Sequence, residues 1–203
     1  MDKERKVLLE NYLKTAQEEF NSIIASVDEN ALNEAAELIR LAQRDGKRLH
    51  VSGIGKPAHI AGYAASLLSS TGTPTYFLHG TEAVHGSCGQ LVEGDVVIFI
   101  SNSGETAEMR ATVDAIKNNG CKVIGITRDA SSWLAKKSDV HLTAHASQEG
   151  GPLNRAPRMS IIAETLVLQA LSIVLQADID LTPKQYIKWH PGGKLGELRK
   201  EET

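Results

Sequence analysis

Three hydroxyl side chains and a glycine follow directly on an apolar run near the middle of the chain. The run 96–100 reads Val-Val-Ile-Phe-Ile, and helix formers with an apolar face follow from residue 107. This order places the hydroxyls of Ser101, Ser103 and Thr106 at a helix N-terminus, where the partial positive charge favours an anion. Ser and Thr are also common N-caps, so plain helix capping is the alternative interpretation. We interpret the segment as a phosphate site.

Four residues outside this loop could carry acid–base chemistry. Lys56, in the first strand-to-helix turn, offers an ammonium for a phosphate or a developing enediolate. Glu108 lies in the first turn of the helix after the loop, where a carboxylate can orient other groups. Glu149 lies in a polar loop with no helix to cap and is a candidate general base, and His190 stands in a rigid Pro-Gly-Gly turn. Together they suit proton transfer beside a sugar carbonyl, as in aldose–ketose isomerisation.

A dinucleotide site is disfavoured. The first turn has Gly53 and Gly55, but Ala58 replaces the third glycine of the G-x-G-x-x-G fingerprint. The next strand ends in His79 rather than in the acidic residue that would bind a ribose. We therefore expect no cofactor.

His79, Glu82, His85 and Cys88 are candidate zinc ligands, because His and Cys bind zinc well and the last three residues are spaced in steps of three. The sequence offers no second cluster of ligands to complete a closed site. We expect no metal and interpret His85 as lining the substrate, with loop packing as the alternative.

Composition narrows the function classes. The 203 residues carry a net charge of −3, no basic stripe and only 4% aromatic residues, which disfavours nucleic-acid partners. The cysteines Cys88 and Cys121 are far apart, and the N-terminus has no apolar signal region. No apolar window reaches the length expected of a membrane span. These features predict a cytoplasmic protein without a membrane partner.

Periodicity predicts the elements that would position these residues. Two amphipathic helices, 7–27 and 29–44, come first, and they pack on their own domain or contribute to an oligomer. Strands are predicted at 48–52, 75–78, 95–100, 122–127 and 140–143, and helices at 57–69, 107–118, 132–137 and 160–176. Continuous apolar strands between helices predict an α/β fold, a three-layer α-β-α sandwich with a five-stranded parallel sheet. We expect a single domain, 1–203, with N-terminal helices (1–45), a sheet core (46–180) and a C-terminal tail (181–203).

Five separate segments, in this order, resemble the sugar isomerase (SIS) domain of D-arabinose 5-phosphate isomerases. They are 53–56 (Gly-Ile-Gly-Lys), 69–74 (Ser-Ser-Thr-Gly-Thr-Pro), 82–86 (Glu-Ala-Val-His-Gly), 100–105 (Ile-Ser-Asn-Ser-Gly-Glu) and 190–193 (His-Pro-Gly-Gly). The resemblance extends from about residue 48 to residue 196. It implies interconversion of ribulose 5-phosphate and arabinose 5-phosphate through a cis-enediol.

The resemblance also implies site residues and an assembly. The family's catalytic residues fall on Lys56, Glu108, Glu149 and His190. Its phosphate-binding hydroxyls fall on Ser52, Ser101, Ser103 and Thr106, and we add Gly53, His85 and Asn102 to the substrate-binding set. A homotetramer is implied, in which sites are shared and His190 reaches the site from a neighbouring subunit.

Two departures from the family pattern leave alternatives open. The chain ends at Thr203, without the pair of cystathionine-β-synthase-type regulatory modules, and so resembles the short forms. The Ser/Thr-rich run that the family has near residue 158 is replaced here, with Arg155 and Arg158 beside it. These arginines either bind a second acidic group or face solvent. The sugar could therefore differ, for example 3-hexulose 6-phosphate, and a non-catalytic sugar-phosphate sensor is the competing class.

Overall fold

The core of the protein is the five-stranded parallel sheet that the apolar runs predict. The computed structural model describes residues 2–202. Its strands are β1 (Leu49–Gly53), β2 (Thr75–His79), β3 (Val96–Ile100), β4 (Lys122–Thr127) and β5 (Val140–Thr143). They pair in the order β2-β1-β3-β4-β5, every neighbouring pair parallel. The predicted strands lie within one residue of the observed ones.

Within residues 2–202, seven α-helices accompany the sheet, and the three-layer α/β sandwich is confirmed. They are α1 (Lys3–Ala25), α2 (Glu29–Arg44), α3 (Lys56–Ser70), α4 (Ala107–Asn118), α5 (Trp133–Lys137), α6 (Met159–Gln176) and α7 (Pro183–Trp189). Helices α2, α3 and α6 pack on one face of the sheet, and α4 and α5 on the other. The structure adds α7 to the C-terminal tail, where the sequence pattern had predicted no helix.

Strand β3 shows how alternation builds the two hydrophobic cores. Val96, Ile98 and Ile100 are buried against the α6 face, whereas Val97 and Phe99 are buried against the α4 face. A strand covered on both sides has no polar face, which is why the run appears continuously apolar in the sequence. Truncating a core side chain as large as Phe99 to alanine costs about 3–5 kcal/mol in such an environment.

The order of the strands places a crevice between β1 and β3. The chain passes from β1 through α3 to the edge strand β2, then returns to β3 on the other side of β1 and continues outward to β5. Parallel sheets that reverse direction in this way bind ligands beyond the carboxyl ends of the two strands at the reversal. Gly53 pairs with Ile100 there, so the segments that follow β1 and β3 lie side by side.

Helix α1 has one buried strip and one exposed apolar strip. Glu19 and Ile23 are its buried residues. Six large apolar side chains remain substantially exposed along it: Val7, Leu8, Leu9, Leu13, Phe20 and Ile24. Helix α2 begins after Asp28, whose carboxylate accepts hydrogen bonds from two backbone N–H groups of the first turn.

Helix α6 corrects one expectation. The sequence pattern predicts no window long and apolar enough to cross a membrane, but Met159–Gln176 meets that test by length and composition. Half of this window is buried within the protein, and nine of its side chains face the interior, Glu164 among them. Its apolar composition is therefore that of a core helix, packed mainly against α3 and α2.

Candidate active site

The loop after β3 is a compact turn with its hydroxyls near its own backbone. The Ser101 hydroxyl accepts the N–H of Gly104 at 3.2 Å, and the Ser103 hydroxyl accepts the N–H of Glu105 at 3.3 Å. Ser101 donates its own N–H to Ile126 on β4 at 3.0 Å, which continues the ladder past the end of β3. The loop is thereby fixed at the edge of the sheet.

Thr106 marks the N-terminus of α4. It is the N-cap residue in an extended conformation, yet its side chain makes no capping hydrogen bond. The exposed Thr106 hydroxyl and the N–H groups of the first turn are thus not committed to each other. This geometry favours an anion site over the alternative of plain helix capping.

Packing beneath the loop requires glycine at position 104. Gly104 has a φ of +65°, and a Cβ there would lie 2.5 Å from the Ser132 hydroxyl oxygen. Glu105 is also engaged, because its carboxylate accepts the N–H of Trp133 at 2.8 Å and pairs with Arg110. The Trp133 N–H, and then Arg110, lower the pKa of Glu105. Glu105 therefore supports the loop and is not available as an acid.

The turn after β1 reaches the same edge. A Cβ on Gly53 would lie 2.9 Å from the carbonyl carbon of Pro57, so only glycine allows this close return of the chain. Gly55, with a φ of +70°, is the N-cap of α3 and provides no side chain to cap it. Lys56 is the first residue of the helix and is exposed. Ser52, by contrast, is fully buried, and its hydroxyl has no hydrogen-bond partner in the described structure.

Glu149 occupies a position different from the one the sequence suggested. It does cap a helix: its carboxylate accepts the N–H of Arg158 and, at 3.2 Å, the N–H of Ser160, at the start of α6. Burial alone would raise the pKa of Glu149, but these hydrogen bonds outweigh burial and lower it. The expectation of a loop with no helix to cap was wrong, because 11 residues separate Glu149 from Ser160.

Two residues that the sequence analysis missed position Glu149. Asn154, in a left-handed conformation with a φ of 47°, accepts the N–H groups of Glu149 and Gly150 at 2.7 and 3.1 Å. Glu19 of α1 accepts the N–H of Ser147 at 2.8 Å and its hydroxyl as well. Helix α1 thus anchors the loop that carries Glu149. An Asn two residues before the Ala-Pro pair is a turn signal that could have been found.

The arginine beside this loop faces α1. The Arg158 guanidinium lies 6.0 Å from the centre of the Tyr12 ring and donates to the carbonyl of Ala156 at 3.3 Å. A Cβ on Gly151 would collide with it. Arg158 is exposed, which fits the solvent-facing alternative, and its guanidinium is directed at the Tyr12 ring rather than at an acidic group. Arg155 is exposed.

The residues considered for zinc do not converge. Among residues 2–202, no group of three or more His, Cys, Asp or Glu side chains is placed to hold a metal ion. His79 is occupied locally: its Nδ1 lies 3.1 Å from the Thr81 hydroxyl and accepts the N–H of Glu82 at 3.3 Å. His85 ends a short 3₁₀ helix, Glu82–His85, and is exposed.

Glu108 lies on the first turn of α4 and is exposed, as the helix prediction requires. The backbone around it is fixed, because the Thr112 hydroxyl donates to the carbonyl of Gly80 at 2.6 Å and lies 3.1 Å from that of Glu108. Helix α4 is therefore tied to the segment that follows β2. Three of the four catalytic candidates follow the carboxyl ends of strands: Lys56 follows β1, Glu108 follows β3 and Glu149 follows β5.

His190 does not join them within one chain. It ends α7, stacks on Tyr186 with ring centres 3.9 Å apart, and its Nδ1 lies 2.9 Å from the Tyr186 carbonyl oxygen. The neighbouring Trp189 packs against Gly72 and lines a cavity with Thr75, at the start of β2. His190 therefore lies near the amino end of the edge strand β2, whereas Glu149 follows the carboxyl end of β5.

One acidic residue of this region was missed altogether. Glu164 is 1% exposed on the second turn of α6, and neither of its carboxylate oxygens has a hydrogen-bond partner within residues 2–202. Near the carboxyl ends of the strands, three further buried polar atoms have no partner in the part of the chain that the structure describes: the hydroxyls of Ser52 and Ser160 and the side-chain carbonyl of Asn102. The signal was available, since Glu164 is the one charged residue in the sequence of α6.

The fold, together with the loops at the carboxyl ends of its strands, defines a class of protein. Residues 43–174 match the SIS domain, so the chain belongs to the SIS domain family. The matched residues include all five strands and the hydroxyl-bearing loop after β3. They also include the N-termini of α3 and α4, which have no side-chain capping hydrogen bond.

Particular relatives are similar over most of the chain. The arabinose 5-phosphate isomerase KdsD of Francisella tularensis (strain SCHU S4) is 39% identical over 171 residues, which are 84% of this chain and 52% of the relative. The arabinose 5-phosphate isomerase KpsF of Escherichia coli is 39% identical over 146 residues, or 72% of this chain and 46% of the relative. The chain thus spans about half the length of the curated relatives it matches.

Two solved structures are similar to this protein over their entire chains. Protein c3406 of Escherichia coli CFT073, in complex with arabinose 5-phosphate, has a TM-score of 0.77 and 34% identity, covering 94% of this chain and 100% of that one. A Listeria monocytogenes protein has a TM-score of 0.84 and 30% identity, covering 95% of this chain and 100% of that one.

Proposed function

We propose that this protein is an aldose–ketose isomerase of sugar phosphates that interconverts D-ribulose 5-phosphate and D-arabinose 5-phosphate through a cis-enediol. The observation that carries the proposal is that two features both follow the carboxyl ends of strands of the same parallel sheet. They are an uncapped, hydroxyl-rich helix start after β3 and, after β5, the Glu149 carboxylate bound to the start of α6. The names of the relatives and the sugar phosphate in the similar structure support the choice of substrate.

The phosphate is bound by the loop after β3. Ser103 and Thr106 expose hydroxyls, Ser101 is nearly buried beneath them, and the N-terminus of α4 adds its partial positive charge. Each hydrogen bond to a charged phosphate contributes about 1.5–3 kcal/mol. Asn102 and Gly53 flank this anchor on the sides of β4 and β1, and exposed His85 lines the far side.

The sugar end faces the start of α6. Glu149 is ionised at neutral pH, because the hydrogen bonds at the helix start lower its pKa, and it is the base that removes a proton from carbon 1 or 2. Lys56 stabilises the enediolate, and Glu108 orients the substrate. His190 moves protons between the two oxygens. Glu149 and His190 could exchange these roles.

His190 is contributed by a neighbouring subunit of a homotetramer. Its position away from Glu149 in one chain supports this arrangement, since the histidine can reach such a site only from another copy. The exposed apolar strip of α1 supports assembly as well, because a monomer rarely exposes a contiguous apolar surface of this kind.

Incubation in deuterated water tests the function and the sugar together. The protein is incubated with a panel of pentose and hexose phosphates, and product and recovered substrate are analysed for solvent deuterium. An isomerase that works through an enediol exchanges the carbon-bound proton with solvent. Deuterium in arabinose 5-phosphate and ribulose 5-phosphate is the expected result.

The outcomes separate the alternatives. Incorporation into 3-hexulose 6-phosphate alone would change the sugar and keep the reaction class. Binding of sugar phosphates without any incorporation would replace the isomerase by a sensor. Glu149→Gln should slow the incorporation. Glu93→Gln is its matched control, because Glu93 is exposed and precedes β3 at the amino ends of the strands. It should leave incorporation unchanged.

A further inference from the structure

Glu164 is a buried carboxyl for which the fold provides no counter-charge. It is 1% exposed, and both oxygens lack hydrogen-bond partners among the described residues. A carboxylate in that position would lose most of its hydration without compensation, which is among the most costly situations for a side chain. A neutral carboxylic acid avoids most of that cost.

The position of Glu164 on α6 directs it towards Glu149. Side chains of a helix lean towards its N-terminus, so the carboxyl of Glu164 leans over Ser160, four residues earlier. The N–H of Ser160 is bound by Glu149, and the Ser160 hydroxyl is close enough to favour the Glu149 carboxylate without a well-formed hydrogen bond. Ser160 therefore stands between the two glutamates.

The pKa values of Glu149 and Glu164 are shifted in opposite directions. Burial, followed by the negative charge of Glu149, raises the pKa of Glu164 to about 8. The helix start lowers the pKa of Glu149. Such a divided pair is the usual mark of two carboxyl groups with different tasks in one site.

Other titratable groups near this end of α6 do not account for the division. On α6 itself the charged neighbour is Arg158, its N-cap residue, whose N–H is bound by Glu149. The helices packed against α6 carry Tyr12, Glu19, Glu29, Lys56, His59 and Tyr63, and Asp28 is the N-cap of α2. Glu19 is bonded to Ser147, and Tyr63 to Gln169 on the outer side of α6. The charge that acts on Glu164 is that of Glu149.

We propose that Glu164 is a positioning residue of the candidate site, whose carboxyl remains protonated while the site works, leaves Glu149 as the single negative charge at the start of α6, and weakens the site when it ionises. This inference rests on the proposed function. A second buried charge beside Glu149 would oppose both the phosphorylated substrate and the enediolate, which are themselves anionic.

The test compares the pH dependence of the wild type with that of Glu164→Gln, a neutral side chain of the same shape. In the wild type, kcat/KM for arabinose 5-phosphate should fall about tenfold between pH 7 and pH 9, as one group titrates in that range. In Glu164→Gln the ratio of the two values should be close to one. Glu164→Met, which is apolar and of similar length, should behave likewise. Glu93→Gln, at an exposed glutamate that precedes β3 at the amino ends of the strands, should retain the wild-type ratio.

Two readouts are independent of turnover. Arabinose 5-phosphate affinity, measured by calorimetry, should weaken over the same pH range in the wild type and not in Glu164→Gln. The carbonyl band of a protonated carboxylic acid should be present in the infrared spectrum of the wild type at pH 7 and absent from Glu164→Gln.

The outcomes distinguish this inference from the proposed function. Binding without turnover would overturn the isomerase, while the affinity and infrared measurements would still decide the role of Glu164. Absence of the infrared band would overturn the inference, and so would an alkaline fall that persists in Glu164→Gln.

Discussion

Replacing Glu164 by glutamine should make the protein progressively more stable than the wild type as the pH rises. Burial and Glu149 raise the pKa of Glu164 from 4.5 to about 8 in the folded protein, whereas the unfolded chain has the ordinary value. Between these two values the folded state holds a proton that the unfolded state has released. Stability of the wild type therefore decreases with rising pH in this window, and Glu164→Gln does not share the loss.

The size of the effect follows from the same two values. A separation of about 3.5 pH units, at about 1.4 kcal/mol per unit, gives a largest difference of about 5 kcal/mol between the variants above pH 8. Below about pH 4.5 the carboxyl is protonated in both states, and the difference should vanish apart from a constant offset. Glu149 titrates in both proteins, so its contribution largely cancels.

Denaturant unfolding at a series of pH values from 4 to 9 measures this difference. The free energies of unfolding of the wild type and Glu164→Gln should diverge steadily from about pH 4.5 and run parallel above about pH 8. Glu19→Gln provides the control, because Glu19 is buried but bonded to Ser147. Parallel curves for wild type and Glu164→Gln across the whole range would refute the reasoning, since Glu164 would then be ionised in both states.

Three further predictions concern the proposed site. Ser103→Ala removes one donor of the phosphate anchor, so the KM for the sugar phosphate should rise by about tenfold, corresponding to roughly 1.5 kcal/mol, with an unchanged unfolding midpoint; an unchanged KM would contradict the anchor. Glu149→Gln keeps the shape but removes the base, so kcat should fall by about 10² or more while calorimetric affinity changes little; near-normal turnover would move the base to Glu108 or His190. Mixing inactive His190→Ala with inactive Glu149→Gln should restore part of the activity once mass spectrometry shows mixed oligomers, because some sites then receive both intact residues; no recovery would mean that each site is built within one chain.

Local sequence determined the elements and the nature of the loop after β3. The central strands β1, β3 and β4 are almost fully buried, because the sheet is covered on both faces there. Strands β4 and β5 begin and end where the sequence pattern predicts them. The hydroxyls of Ser101, Ser103 and Thr106 fell at the start of α4 because strand, turn and helix are adjacent in the chain. Interactions over a few residues suffice for such features.

Contacts between distant parts of the chain were decided by the tertiary structure alone. The sheet order, which places the ends of β1 and β3 together, depends on the side to which each crossover returns. Glu149 became the cap of α6, Glu164 was buried without a partner, and His190 was placed away from both by α7. A residue's type shows which chemistry it can perform, but its burial, pKa and neighbours depend on elements that approach it only when the whole chain has folded.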